Sequence, residues 1–273
     1  MRRALFILAL LLIAEAPSVG RGARSEDVSK AGAAGQQGQA QQGKAASASL
    51  PTVDEVLDKY VQAIGGKDAL DKTTTRVMKG LIELPATGDA GSIVPGTIEI
   101  YMKAPNKRML MVNIPGNGTD RRGYNGKAGW YVDPDQGPKD LSGADLDALK
   151  GEAEFYREIR LKELYPKMAV EGRTRVGSGE AYVVNAALAD GSSEKFYFDA
   201  QSGLLVRHDL PVEIPDEGKT TQQSIFEDYK DVDGVKLPFT IRRLRPDGDS
   251  IIKFSEVKNN VPVDDSKFEK PPK

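Results

Sequence analysis

Along most of this chain apolar and polar residues alternate in short runs, and the runs are separated by residues that favour turns. The pattern is plainest towards the end, in FYFDAQSGLLVRHDL and SIFEDYKDVDGVKLPFTIRRLRPDGDSIIKFSEVKNNVPVDDSKF. Three turn signals sit there between β-rich runs: Asp199-Ala200-Gln201-Ser202-Gly203, Asp231-Val232-Asp233-Gly234 and Pro246-Asp247-Gly248-Asp249. Asp bonds its own backbone, Gly carries no Cβ to clash at positive φ, and Pro presets the first turn angle. The segment therefore predicts consecutive antiparallel hairpins. Similar strand patterns begin at 76–84 and recur up to 128–132, then resume at 168–176 and continue to 250–259, with 211–219 reading as a polar loop. In 96–103, Ile98, Ile100 and Met102 share one face. Residues 108–112 (RMLMV) are apolar on both faces, so this strand is covered on both sides or faces a cavity.

Two stretches carry a helical period instead. Thr52 and Glu55 form a T-x-x-E capping box, and Val53, Val56, Leu57, Tyr60 and Ile64 follow on one face until Gly65-Gly66 ends the helix. Its polar face is not Lys/Arg-rich, which favours packing on a core over lying on a membrane. A short helical turn follows at 67–71. The second stretch starts at Ser142, places Leu146, Leu149, Ala153, Phe155, Tyr156 and Ile159 on a stripe towards Leu164, and stops at Pro166. Gly151 weakens it in the middle. Strands do not alternate with helices, so this is no βαβ series. The fold class is mainly β (α+β), a curled antiparallel sheet of about ten or eleven strands with an N-terminal helix and an inserted helix. Such a sheet forms an incomplete β-barrel, and its interior is filled by the helix or by an apolar ligand.

Composition changes the picture at the start of the chain. Arg2 and Arg3 precede an apolar run from Ala4 to Ala14, too short for an ordinary transmembrane helix, so residues 1–23 read as a signal peptide. Residues 24–50 are rich in Gly, Ala and Gln and cannot bury enough apolar surface to offset their ordering entropy; they read as a disordered spacer. The folded domain is then 51–273, exported and most simply periplasmic, with no stable membrane insertion after signal cleavage. The 273 residues include no cysteine, which excludes disulfides, thiol nucleophiles and an acylated lipoprotein N-terminus. A formal charge of −2 gives no footprint for nucleic acid.

Candidate chemistry is sparse. His208 is the single histidine; its neighbour Asp209 points to the opposite strand face, and no nucleophile stands in an elbow motif. Asp133-Pro134-Asp135-Gln136-Gly137 lacks the spacing of a calcium loop and reads as a surface turn. No catalytic residue, metal ligand or cofactor is assigned. The candidate ligand-binding set is apolar: Ile98, Ile100, Met102, Met109, Met111, Trp130, Phe155, Phe196, Phe198, Phe226 and Phe254, a possible cavity wall in which Met suits irregular chains.

The order of these runs resembles a known family. VDEVLDKYVQAIGG (53–66), RVMKGLIE (76–83), YNGKAGWYVDP (124–134), the FYFDAQSGLLVRHDL hairpin, FEDYKDVDGVKLPFTIR (226–242) and IIKFSEVKNNVPVDDSKFEKP (251–271) carry the resemblance. It is similar to the bacterial lipoprotein-localisation carrier superfamily (LolA/LolB-like), and within it to outer-membrane lipoprotein-sorting proteins. The resemblance implies an unclosed barrel with a helical lid over an apolar cavity. It implies a non-catalytic, exported carrier for lipid or lipoprotein acyl chains, with another envelope protein as the exchange partner. It also implies an arginine that holds the lid by bonds to backbone; Arg76, Arg108, Arg121, Arg122 and other arginines are undistinguished candidates for it. The spacer at 24–50 departs from the classical carriers. Envelope stress sensors and at least one enzyme share the fold, so an interaction module is the alternative and catalysis a third reading.

Overall fold

The computed structural model describes residues 49–86, 92–188, 191–214 and 218–272; the signal peptide and nearly all of the spacer expected from the sequence lie outside the described residues. The strands are β1 Thr75–Pro85, β2 Ile93–Lys103, β3 Lys107–Ile114, β4 Gly118–Tyr124, β5 Gly129–Asp133, β6 Gly137–Asp140, β7 Met168–Val176, β8 Gly179–Ala187, β9 Ser193–Asp199, β10 Leu205–Ile214, β11 Gly218–Val232, β12 Val235–Leu244 and β13 Ser250–Asn259. They form one antiparallel sheet in the order β6-β5-β4-β3-β2-β1-β13-β12-β11-β10-β9-β8-β7. The two end strands, β6 and β7, do not pair, so the sheet curls into an incomplete barrel. Thirteen strands replace the expected ten or eleven. The short β6 was missed because GPKD lacks strand-forming residues; it forms through pairing with β5.

Two differences from the expected elements have tertiary causes. β10 runs through Pro211 to Ile214, where a polar loop was expected. Its pairing with β9 ends at Asp209, while Pro211 pairs with Thr221 of β11 alone. Pro211 thus sits at a local edge, where its missing N–H leaves no ladder bond unmade. The inserted helix is also shorter than expected. α3 spans Gly143–Ala153, a 3₁₀ turn follows at Arg157–Ile159, and α4 spans Leu161–Leu164. The helix breaks because Phe155 donates its N–H to the Pro105 carbonyl (3.0 Å). Its ring is buried and lies 5.6 Å from the Arg76 guanidinium.

The first helices follow the sequence closely. α1 spans Val53–Ala63 with the capping box in place: Thr52 N–H donates to Glu55 (2.7 Å), and Glu55 N–H donates to Thr52 Oγ1 (3.2 Å). α2 spans Lys67–Lys72. Val56, Leu57, Tyr60 and Ile64 join a core with Met78, Ile82, Ile98, Phe196, Phe198, Ile252 and Phe254. The face of the sheet carrying these residues is the inner face. Two hairpin tips hold α1 against it. Lys236 N–H donates to the Ile64 carbonyl (2.9 Å), and Lys59 Nζ donates to the Ala200 carbonyl (2.7 Å). Gly65, at φ +123°, lies so close to Gly234 that a Cβ would sit 2.1 Å from its carbonyl oxygen.

The outer face of β1–β5 is covered by the chain's own tail. Val261, Val263 and Phe268 pack on Val77, Tyr101, Met109, Met111, Trp130 and Val132. Trp130 Nε1 donates to the Phe268 carbonyl (2.8 Å), and the Phe268 side chain is fully buried. Replacing Phe268 by Ala should cost about 3–5 kcal/mol, the usual range for a buried Phe. Trp130 is the single tryptophan, so urea denaturation read by its emission tests this. A red-shifted native spectrum is expected as the tail lifts, and an unchanged spectrum and midpoint would refute the role of the tail.

Candidate functional site

Strand register decides which side chains enter the half-barrel. Arg76 pairs with Met102, Met102 with Arg108, and Arg108 with Tyr124, so these share the inner face with Ile98, Ile100, Leu110, Val112 and Arg122. On this face Ile98 is packed, whereas Ile100, Met102, Leu110 and Val112 are only half-buried. Ile100, Leu110 and Val112 pack against the edge of the inner core and keep part of their surface exposed.

α3 lies across the inner face of β3–β5. Leu149 and Ala153 are fully buried against Tyr124. The fit depends on Gly129, where a Cβ would lie 2.7 Å from Leu146 Cδ1 and 3.0 Å from Leu149 Cδ2. Polar contacts add to this. Arg122 Nη2 donates to the backbone carbonyl of Asp145 (3.2 Å). Glu152 reaches Arg108 at 3.1 Å and Arg122 at 3.7 Å. Among the arginines, Arg122 bonds α3 backbone in this way, and Arg157 Nη1 also donates to the α3 carbonyl of Gly151 (3.4 Å). Arg76 instead donates Nε–H to Asn259 Oδ1 (3.0 Å), and Arg121 points to the outer face.

A separate cavity of about 190 Å³ opens beneath α1, α2 and α4. Tyr60, Ile64, Leu161, Phe196, Phe226 and Tyr229 supply much of its wall, with Arg157, Glu158 and His208 as polar members. It holds only about six water-sized volumes of roughly 30 Å³. At one side His208 stacks on Phe196, with ring centroids 4.4 Å apart, and its Nε2 lies 2.7 Å from Glu194 Oε2. The Tyr165 hydroxyl donates to the same oxygen (2.8 Å), and Arg157 bonds Tyr165. This network anchors the segment after α3 to β9 and β10. Burial alone raises the Glu194 carboxyl, but the His208 bond, the His208 and Arg157 charges and the Tyr165 bond outweigh it and hold its pKa below the ordinary 4.5. As expected from strand alternation, Asp209 turns to the other face, bound by Arg207 (2.6 Å) and Tyr197 (2.8 Å).

No family model and no curated protein matches the chain. Solved structures do match. A DUF1329 family protein from Desulfovibrio piger superposes with a TM-score of 0.56 at 15% identity, over 80% of this chain and 97% of that one. A LolA superfamily protein from Nitrosomonas europaea gives 0.55 at 15% identity, over 81% and 99%. A putative outer membrane lipoprotein-sorting protein domain from Vibrio parahaemolyticus gives 0.54 at 10% identity, over 78% and 97%. The chain has a LolA-like fold.

Within this LolA-like fold the residues expected to line a cavity fall into separate places. Phe196 and Phe226 border the 190 Å³ cavity. Ile98, Phe198 and Phe254 are packed in the inner core, Ile100 packs half-buried against it, and Met102 is half-buried on the same face. Phe155 plugs the end of α3. Met109, Met111 and Trp130 lie on the outer face beneath the tail. The strand 107–114 is therefore covered by the tail on one side, and on the other Leu110 and Val112 stay half-buried at the edge of the inner core. Sequence reasoning missed two polar groupings: Glu152 with Arg108 and Arg122 beneath α3, and the His208–Glu194 pair beside the cavity. The last pair was in principle accessible, because the Asp199–Gly203 turn sets a register that pairs His208 with Phe196, two residues from Glu194.

Glu194→Gln should destabilise the protein by about 1–3 kcal/mol at neutral pH, because the charge that strengthens both bonds is lost and an amide N–H₂ donor replaces one carboxylate oxygen in a buried site. The native carboxylate stabilises only while ionised, so this contribution is present at neutral pH and disappears as pH falls below 4.5. The difference between variant and wild type in urea titrations should be full at pH 7 and shrink on acidification. A pH-independent gap would contradict the pairing.

Proposed function

We propose that this protein is an exported, non-catalytic carrier or binding protein for lipid or lipoprotein acyl chains in the bacterial cell envelope. The observation that carries the reading is the inner wall of β2–β3, where Ile100, Met102, Leu110 and Val112 face inward with surface to spare beside a helix that spans the opening. The LolA-like fold supports it, as do the solved relatives described as a LolA superfamily protein and a lipoprotein-sorting protein domain. The mechanism is non-covalent. An acyl chain leaves water and gains about 25 cal/mol for each Å² of apolar surface buried.

α3 acts as the lid. α3 packs directly on the inner face of β3–β5, so on this reading a chain bound along Leu110 and Val112 displaces α3 from that face. The partners on this reading are the acylated ligand and an envelope protein that delivers or receives it. The apolar candidates that face inward, Ile100, Met102 and Phe226, would meet the chain directly.

Native mass spectrometry with lipid extraction tests this on protein purified from its own envelope without detergent. A bound acyl species is expected. An empty protein that also refuses acylated probes would overturn the carrier reading in favour of an envelope interaction module. Leu110→Glu should weaken uptake of a fluorescent acyl probe about tenfold or more, because a charge on the wall must be desolvated by the bound chain. Its half-buried position predicts that the variant still folds, which circular dichroism checks.

A further inference from the structure

Three arginines of the inner face lie in the neighbourhood of Glu152. Arg108 and Arg122 are buried on β3 and β4, and Glu152 reaches both from α3. Arg243 joins them from β12. It is paired with Ser250, two residues from the Ile241–Ile252 pair of the inner core, and faces Ser224 on β11. Among the described residues the Arg243 side chain makes no hydrogen bond and no ion pair within 4 Å. Arg245, close by, is already engaged by Asp247 through two bonds of 2.7 and 2.8 Å.

The contacts to Glu152 are poor for a resident pair. Arg108 Nη1 and both carboxylate oxygens of Glu152 are buried without a hydrogen-bond partner, although charge centres lie within 4 Å. A buried ion pair offsets its desolvation only when its hydrogen bonds are made, and this one leaves them unmade. Burial pulls the Arg243 pKa down to about 10, with Glu152 opposing and Arg108 and Arg245 adding to the shift. The cations around Glu152 thus repel one another as well as attract it.

We propose that Arg108, Arg122 and Arg243 form a binding site for the anionic head, a phosphate monoester or carboxylate, of a single amphiphile, and that Glu152 occupies it as an internal stand-in while the lid is down. Planar guanidinium groups match the oxygens of such anions with two parallel N–H bonds each. An entering anion takes over the arginines from Glu152, which frees α3 without leaving the buried cations uncompensated. That the anion belongs to an amphiphile rests on the acyl-carrier reading. The anion site itself rests on the unpaired charge.

Calorimetric titration of the lipid-stripped full-length exported protein tests both parts separately, with decyl phosphate, decyl maltoside and inorganic phosphate below micellar concentration. Decyl phosphate should bind about tenfold or more tighter than either other probe, the scale of one charge-assisted hydrogen bond. In Arg243→Gln the ratio of decyl phosphate to decyl maltoside affinity should fall to near one. The same variant should melt roughly 2–4 °C higher, since an uncompensated buried charge has gone. Glu152→Gln should melt lower, bind decyl phosphate more tightly and regain its Tm when saturated with it.

Equal affinity for decyl phosphate and decyl maltoside overturns the anion site and leaves the carrier reading standing. Inorganic phosphate binding as tightly as decyl phosphate supports the anion site but overturns its assignment to an amphiphile. An Arg243→Gln variant that melts lower and keeps the wild-type ratio assigns Arg243 a structural role and overturns the proposal. Failure of all three probes overturns both readings.

Discussion

A sheet of thirteen strands that does not close leaves an inner face, and everything else in this protein follows from how that face is covered. α1 covers part of it with Val56, Leu57, Tyr60 and Ile64, which pack tightly and are pinned by two hairpin tips. α3 covers another part with Leu149 and Ala153 and with a carboxylate laid across Arg108 and Arg122. These covers differ in physical kind. Apolar packing is lost in full when the helix leaves. A charge contact can be exchanged for another anion at little net cost, because the cations remain paired throughout. α3 joins both kinds of contact, with Leu149 and Ala153 packed beside the Glu152 charge contact.

The strand β3 shows the same division within a few residues. Met109 and Met111 are sealed on the outer face by Val261, Val263 and Phe268, so the strand is rigidly backed. Leu110 and Val112, one residue over, keep free surface towards the interior. The glycines on the neighbouring strands serve the two covers in turn. At Gly123 a Cβ would strike the Trp130 ring at 2.3 Å, and at Gly129 it would strike the side chains of α3. One gives room to the outer cover and the other to the lid.

The polar interior is the least expected feature of an otherwise apolar inner face. An acyl chain alone asks for no arginine, and burying three guanidinium groups beside one carboxylate destabilises the domain. Retained charge of this kind is characteristic of sites whose ligand completes them, where stability is given up for binding.

Much of this architecture was legible in the chain. The capping box, the strand alternation from 76 onwards and the Asp- and Gly-rich turns are local signals, set within a few residues by backbone sterics and by the two-residue period of a strand. They correctly placed Ile98, Ile100 and Met102 on one face and separated His208 from Asp209. They could not break the inserted helix at Phe155, whose partners are Pro105 and Arg76, nor extend β10 through Pro211, whose freedom depends on where β9 stops. Nor could they divide the apolar candidates between interior and tail, or bring Arg243 towards Arg108 and Glu152 from opposite arms of the sheet. Periodicity tells which residues share a face. Which faces meet depends on curl and on pairings between residues more than a hundred positions apart, and those exist only once the sheet has formed.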